Sequence, residues 1–214
     1  MLVRTRRTIA QATGRQGLAG DDDIERVHDF WFGELDARGM CVEDRHRLWF
    51  GSDARTDSEC RRRFGAALER ALAGELDHWA RDDRGLVALI VLLDQFSRNI
   101  HRGTARAFTG DARALALASA AIDSHRHLRL PAIHRVFTYL PLEHAEDLAQ
   151  QSRCVQLFDE LAAGGDAQLA QFARYAHAHR DVIERFGRFP HRNAILGRDS
   201  SAQERHHLAT HGGF

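Results

Sequence analysis

The sequence contains no lysine. All 30 of its basic residues are arginine, set against 30 acidic residues for a formal net charge of zero. Without lysine there is no Schiff-base or pyridoxal-phosphate lysine, no phosphate-loop lysine and no kinase-type nucleotide-binding lysine, so those enzyme classes are excluded. The balanced charge leaves no global field to draw the chain onto nucleic acid or an anionic membrane, so any anion site is local. Cysteine is scarce: Cys41, Cys60 and Cys154 are far apart and form no Cys-x-x-Cys pair for zinc or redox work. A reduced, cytoplasmic protein is the simplest reading. Long apolar runs are absent as well. The longest, Leu86–Leu93, is far shorter than the roughly 20 residues a membrane span needs.

Proline occurs three times, at Pro131, Pro141 and Pro190, and no segment alternates with period 2 as a strand would. Helix signals recur instead. After an N-terminal arm (residues 1–20) with few charges, expected to be mobile, Asp21–Asp23 can cap a helix carrying Ile24, Val27 and Trp31. Thr56 and Glu59 fit a capping box ahead of Cys60, Phe64, Leu68 and Leu72, and Gly74 ends that helix. Leu86–Leu93 leaves no polar face and predicts a helix buried on nearly all sides. Thr104 or Asp111 starts the next helical stretch, and Pro131 and Pro141 are expected in the first turns of two more. Gly164 and Gly165 stop the second of these. Asp166 caps a helix that ends at Gly187, and Ser201 with Glu204 caps the last. The expectation is one all-α domain over residues 21–214, of about eight helices in a helical stack or an orthogonal bundle.

Three segments carry most of the polar side chains that chemistry would use. Leu93–Phe108 (LDQFSRNIHRGTARAF) sets Asp94, Gln95, Arg98, Asn99, His101 and Arg102 at the end of the most apolar helix. Tyr139–Gln151 (YLPLEHAEDLAQQ) holds Glu143, His144 and Glu146, read as the first turn of a helix. Phe186–Arg198 holds Arg188, His191, Arg192 and Asn193 around Pro190. Each segment also has a plain structural reading. Arginines and asparagines at helix ends satisfy orphan carbonyls, and first-turn carboxylates are favoured by the helix dipole alone. Glu143, His144 and Glu146 are not spaced as the Glu-x-x-His ligand pair of di-iron bundles, and no Gly-x-Ser-x-Gly elbow and no Gly-x-Gly-x-x-Gly turn occurs. No cofactor or metal is called for.

Those three segments, with DFWFG at Asp29–Gly33 and WF at Trp49–Phe50, resemble the bacterial domain of unknown function 924 family. The resemblance implies an all-α, tetratricopeptide-like fold and no established activity. It places the family's pattern on Asp94, Gln95, Phe96, Arg98, Asn99 and Arg102, then on Glu143, His144, Glu146 and Gln150, then on Arg188–Asn193. Ser97 stands where the family usually has proline, and His101 where it often has tyrosine. A proline at 97 would stop the buried helix, whereas Ser97 permits it to run on.

Two functions of different class follow. In the first, Arg98, Arg102, Arg188 and Arg192, with Asp94, Asn99 and Asn193, bind a small anionic ligand or substrate, and His191 or His144 with Glu143 moves a proton. In the second, a tetratricopeptide-like scaffold grips a peptide or protein without catalysis. Neither involves a membrane or nucleic acid. The ligand reading expects the three segments to meet in space.

Overall fold

The computed structural model describes residues 19–213, and side chains from Asp22 onward. The arm expected over residues 1–20 lies outside the described residues except for Ala19 and Gly20. The described chain is all-α, without strands apart from one isolated bridge between Leu35 and Cys41. Its helices are α1 (Ala19–Trp31), α2 (His46–Phe50), α3 (Ala54–Ala73), α4 (Asp83–Ile90), α5 (Ser97–Ile100), α6 (Asp111–Asp123), α7 (Ala132–Glu143), α8 (Leu148–Ala162), α9 (Ala167–Phe186) and α10 (Ala202–His211), with short 3-10 turns between several of them. None is long and apolar enough to cross a membrane.

The apolar run behaves as its composition demands. Every residue from Leu86 to Leu93 is buried, and around this rod pack α1, α3, α6 and α7. The rod continues past α4 through a π-helical segment, Val91–Phe96, into α5, so Ser97 does let the helix run on. In the π segment the Ser97 N–H reaches back five residues to the Leu92 carbonyl. The wider turn shifts which side chains share a face, and such segments recur at functional sites. Trp31, Phe32, Trp49, Phe96 and Phe137 pack edge-on around the rod, and Trp49 Nε1 donates to the Trp31 carbonyl at 2.9 Å. That bond and the burial of Trp49 hold the short α2, which lacks the periodicity that would reveal it in sequence.

Several caps fall where expected. Gly74 and Gly187 end α3 and α9 in the left-handed conformation, the Asp166 side chain caps α9, and Ser201 with Glu204 forms a complete capping box on α10. Other boundaries differ. The N-cap of α3 is Asp53, three residues ahead of the Thr56 box, and Glu59 is engaged with Arg62 and Arg63 instead. Helix α1 is already under way at Ala19.

The consequential difference is at Pro141. It lies inside α7, close to its C-terminal end, and opens no new helix; the next one starts at Leu148 behind the N-cap Asp147. A proline there removes one backbone donor near the end of a helix whose buried face already fixes its course. Glu143 is therefore the last residue of α7 and His144 its C-cap, at the negative end of the helix dipole and not the positive end.

Two histidines sit inside the core against each other. His28 on α1 donates Nε2–H to the Arg84 carbonyl at 2.9 Å, and its ring centroid lies 4.8 Å from that of His134 on α7. Burial holds both rings below the usual imidazole range, His134 at about 3. A group whose folded pKa is depressed contributes stability above its unfolded value and loses it as pH falls. The fold is thus expected to weaken between pH 6.5 and about 3, the window set by His134, by at most about 1.4 kcal/mol per pH unit for each ring. His134→Phe should flatten this acid limb in urea unfolding at stepped pH. An acid limb of unchanged slope would show that His134 is protonated in the folded state.

Candidate functional site

The site grows from the end of the buried rod. Asp94, in the π segment, is fully buried, and a carboxylate there needs compensation. His144 donates Nδ1–H to its Oδ1 at 2.7 Å, Gln95 donates its side-chain amide to Oδ2, and the Arg98 guanidinium lies 3.1 Å from Oδ1. Burial pushes this carboxyl up, but the Arg98 charge and the His144 and Gln95 contacts outweigh it, holding Asp94 below the usual carboxylate range.

Arg98 in turn grips Asp111, the first residue of α6, through both terminal nitrogens at 2.8 and 3.1 Å. Asp111 stands there because Gly110 lets α6 start hard against the rod: a Cβ at Gly110 would strike the Leu93 carbonyl. Arg192 arrives from the 3-10 turn Pro190–Arg192. Its Nη1 donates to the His144 carbonyl at 3.1 Å and lies 3.7 Å from Asp111, and its guanidinium carbon stands 4.9 and 4.5 Å from the ring centres of Phe108 and Phe189. Burial, and then the Arg98 charge, pull Arg192 down to about 10.

The second carboxyl of the cluster has the opposite character. Glu143 is buried at the C-terminal end of α7 beside the Asp94 charge, and burial followed by that charge raises it to about 8. Its Oε1 lies 3.4 Å from His179 Nδ1, which donates to the Tyr175 carbonyl on its own helix at 2.9 Å. Burial lowers His179 to about 3, so a neutral acid meets a neutral ring and the contact is not an ion pair. Glu143 Oε2 and Gln151 Oε1 are buried without a hydrogen-bond partner. His144 is held below the ordinary imidazole range by burial and by Arg98, with Asp94 pulling the other way. Its side chain keeps 16 % exposure, so the ring reaches solvent while its Nδ1 is engaged by Asp94. A carboxylate on Nδ1 fixes tautomer and orientation and leaves Nε2 for proton transfer.

The three polar segments therefore do meet, through Asp94, Arg98, Glu143, His144 and Arg192. His191 is adjacent but tucked under the C-terminal tail, where Gly213 packs against its ring, and burial lowers it to about 4. Other residues named from sequence are engaged elsewhere. Asn99 and Arg102 both bind Asp57 of α3, Arg102 through two nitrogens. Arg188 pairs with Glu204 at 2.7 and 3.0 Å, and Asn193 donates to Ser200 Oγ, which together fasten α10. Glu146 accepts the Phe189 N–H and both terminal nitrogens of Arg198, pinning the turn that carries Arg192. Part of the polarity is spent on capping: Gln151 donates to the Glu143 and Ala145 carbonyls at the end of α7. Asp111, Phe108 and His179 join the cluster although their patterns single them out only as a helix start, a motif end and one of many histidines.

Among the described residues no group of three His, Cys, Asp or Glu is placed to hold a metal ion. Burial raises the thiols of Cys41 and Cys60 to about 11 and about 12, away from nucleophilic use at neutral pH. A separate cleft of about 710 Å³ opens between α1, residues 43–48 and α3. The arginines that line it are matched there by carboxylates: Arg26 by Asp23, Arg45 by Glu43, and Arg62 and Arg63 by Glu59.

A family model described as a bacterial protein of unknown function (DUF924) matches residues 27–212. The chain belongs to this family. It is also similar to a solved structure of a protein of unknown function from Agrobacterium tumefaciens, 38% identical, with 88% of this chain and 97% of that one covered and a TM-score of 0.75. No curated protein matches it. Neither match names a reaction.

Glu143 offers a direct check on the electrostatics of this family member. A carboxyl raised in the folded state contributes its stability below the unfolded value and loses it as pH rises. Relative to the parent, Glu143→Gln should gain stability from pH 4.5 to about 8, by on the order of a few kcal/mol at the upper end. Urea unfolding of both proteins across that range measures it. Parallel curves would mean that Glu143 is ionised in the folded protein.

Proposed function

We propose that the protein binds a small anionic ligand or substrate at the Arg192–His144 cluster, with His144 placed to exchange a proton with it. The observation that carries this reading is Arg192 itself. Its side chain is only 8 % exposed, yet its nearest carboxylate, Asp111, stands at 3.7 Å and is already gripped by Arg98, and its Nε is buried without a partner. A guanidinium taken out of water normally recovers the cost in paired hydrogen bonds. An oxyanion supplies them, since carboxylates and phosphates accept the guanidinium fork bidentately. Asp94 would orient His144, and Glu143, neutral at pH 7, would be a second proton donor.

Asp94, Arg98, Arg192, His144 and Glu143 are the core of this reading. Arg102, Asn99, Arg188 and Asn193 support the helices around it, and His191 forms its rim. The alternative of a peptide-binding scaffold has one feature in its favour: Phe50 and Tyr175, each 45 % exposed, flank a groove between α2 and α9.

The test is thermal denaturation with acetate, inorganic phosphate and sulfate against chloride at constant ionic strength. A bound anion raises Tm, by about 2.7 kcal/mol of added stability at a hundredfold excess over Kd. Arg192→Gln should keep a cooperative transition and lose the anion-specific rise. If no anion exceeds chloride on the parent protein, the reading is wrong.

A further inference from the structure

We propose that the anion taken by this cluster is a single planar carboxylate, and that its arrival draws one proton into the site. This inference rests on the anion-site reading above and narrows it to one chemical class. It starts from how many guanidinium donors are free. Arg98 commits three of its five N–H donors: its Nη1 serves the Asp94 carbonyl at 2.7 Å and Asp111 at 2.8 Å, and its Nη2 serves Asp111 at 3.1 Å. Arg192 commits only one, to the His144 carbonyl, and its carboxylate contact stands off at 3.7 Å. The ring centres of Phe108 and Phe189 lie 4.9 and 4.5 Å from its guanidinium carbon, so aromatic surface crowds the group and a ligand is recognised through its uncommitted N–H donors. An edge of two parallel N–H groups matches a flat, two-oxygen acceptor better than a tetrahedral one. The half-buried Phe108 ring beside it suits an acid with an apolar body.

The charges point the same way. Asp94 and Asp111 are balanced by Arg98 and Arg192, with Glu143 and His144 neutral at pH 7. A monoanion leaves the cluster one positive charge short, whereas a phosphate dianion leaves it two short. The group able to make up one charge is His144. Around it stand Asp94 and Arg98 from the rod, Glu143 on its own helix, His179 from α9, and Arg192 with His191 from the 3-10 turn. Of the neutral groups, His179 and His191 are held far below neutrality, while His144 already has a carboxylate on Nδ1 and a surface-reaching edge. A second anion beside it raises its proton affinity. The ligand's negative charge and the proton then enter together, and no covalent step is involved.

Isothermal titration calorimetry of the unaltered protein with benzoate and with inorganic phosphate, at pH 7 in HEPES and again in Tris, tests this. The expected result is that benzoate binds, that its apparent enthalpy differs between the buffers by an amount equal to uptake of close to one proton, and that phosphate binds at least about ten times more weakly. Arg192→Lys, which keeps the charge and loses the fork, should weaken benzoate by about ten-fold or more. Phosphate binding as tightly as benzoate, or benzoate binding with no buffer dependence, overturns the carboxylate inference and leaves the anion site standing. If neither probe binds, while the protein melts normally, the anion-site reading itself falls.

Discussion

A carboxylate buried without access to water, Asp94, is the constraint from which the rest of the site follows. An isolated buried charge costs far more than a single contact returns, so the chain must bring it partners or leave it protonated. Here it is partnered. Arg98 comes from the next turn of the same rod, Gln95 from the adjacent position, and His144 from the end of α7. Each partner imposes a further requirement. Arg98 needs Asp111, which needs α6 to begin against the rod, which needs Gly110 at the point of contact. The π segment that carries Asp94 is the local distortion that accommodates this convergence at the end of the apolar run Leu86–Leu93.

In a chain whose basic residues are all arginine, the forks divide between two roles. Arg102 on Asp57, Arg188 on Glu204 and Arg198 on Glu146 are each bidentate to a carboxylate from a distant segment and act as ties between helices. Such ties have both charges answered and leave no site behind. Arg192 differs because its nearest carboxylate is already held by Arg98 and its remaining support is aromatic and carbonyl. The arginines of the three polar segments thus comprise two populations, one that fastens the turns and one that is gathered by them. The ties to Glu146 and Glu204 give the turn bearing Arg192 its place.

Two carboxyls and two histidines within one cluster are driven apart in proton affinity by their surroundings alone. Asp94, facing a guanidinium and an imidazole, is held anionic, while Glu143, taken out of water and set beside Asp94, stays protonated near neutrality. His179 and His144 are both lowered by burial, but only His144 has a carboxylate restoring its affinity and an edge toward solvent. Separation of this kind between neighbouring titratable groups is what acid–base sites share.

Helix positions and most caps are local properties, and they could be read directly: the apolar run at Leu86–Leu93, the Gly74 and Gly187 ends, the Asp166 cap and the Ser201–Glu204 box depend on residues within a turn or two of one another. So did the three polar segments, because compact motifs between apolar helices stand out by composition. Pro141 misled because a proline that forfeits one bond inside a tertiary-supported helix is locally the same signal as one that opens a helix. That single boundary decides whether Glu143 faces the positive or the negative end of a dipole. Asp111 and His179 lie 17 residues beyond Asp94 and 35 beyond His144 along the chain, and nothing local marks them as partners. The sequence by itself determined which helices form and which polar groups lie at their ends. The tertiary structure decided which of those groups are charged, because ionisation depends on burial and on neighbours at 3–4 Å, and both are set by how the helices pack.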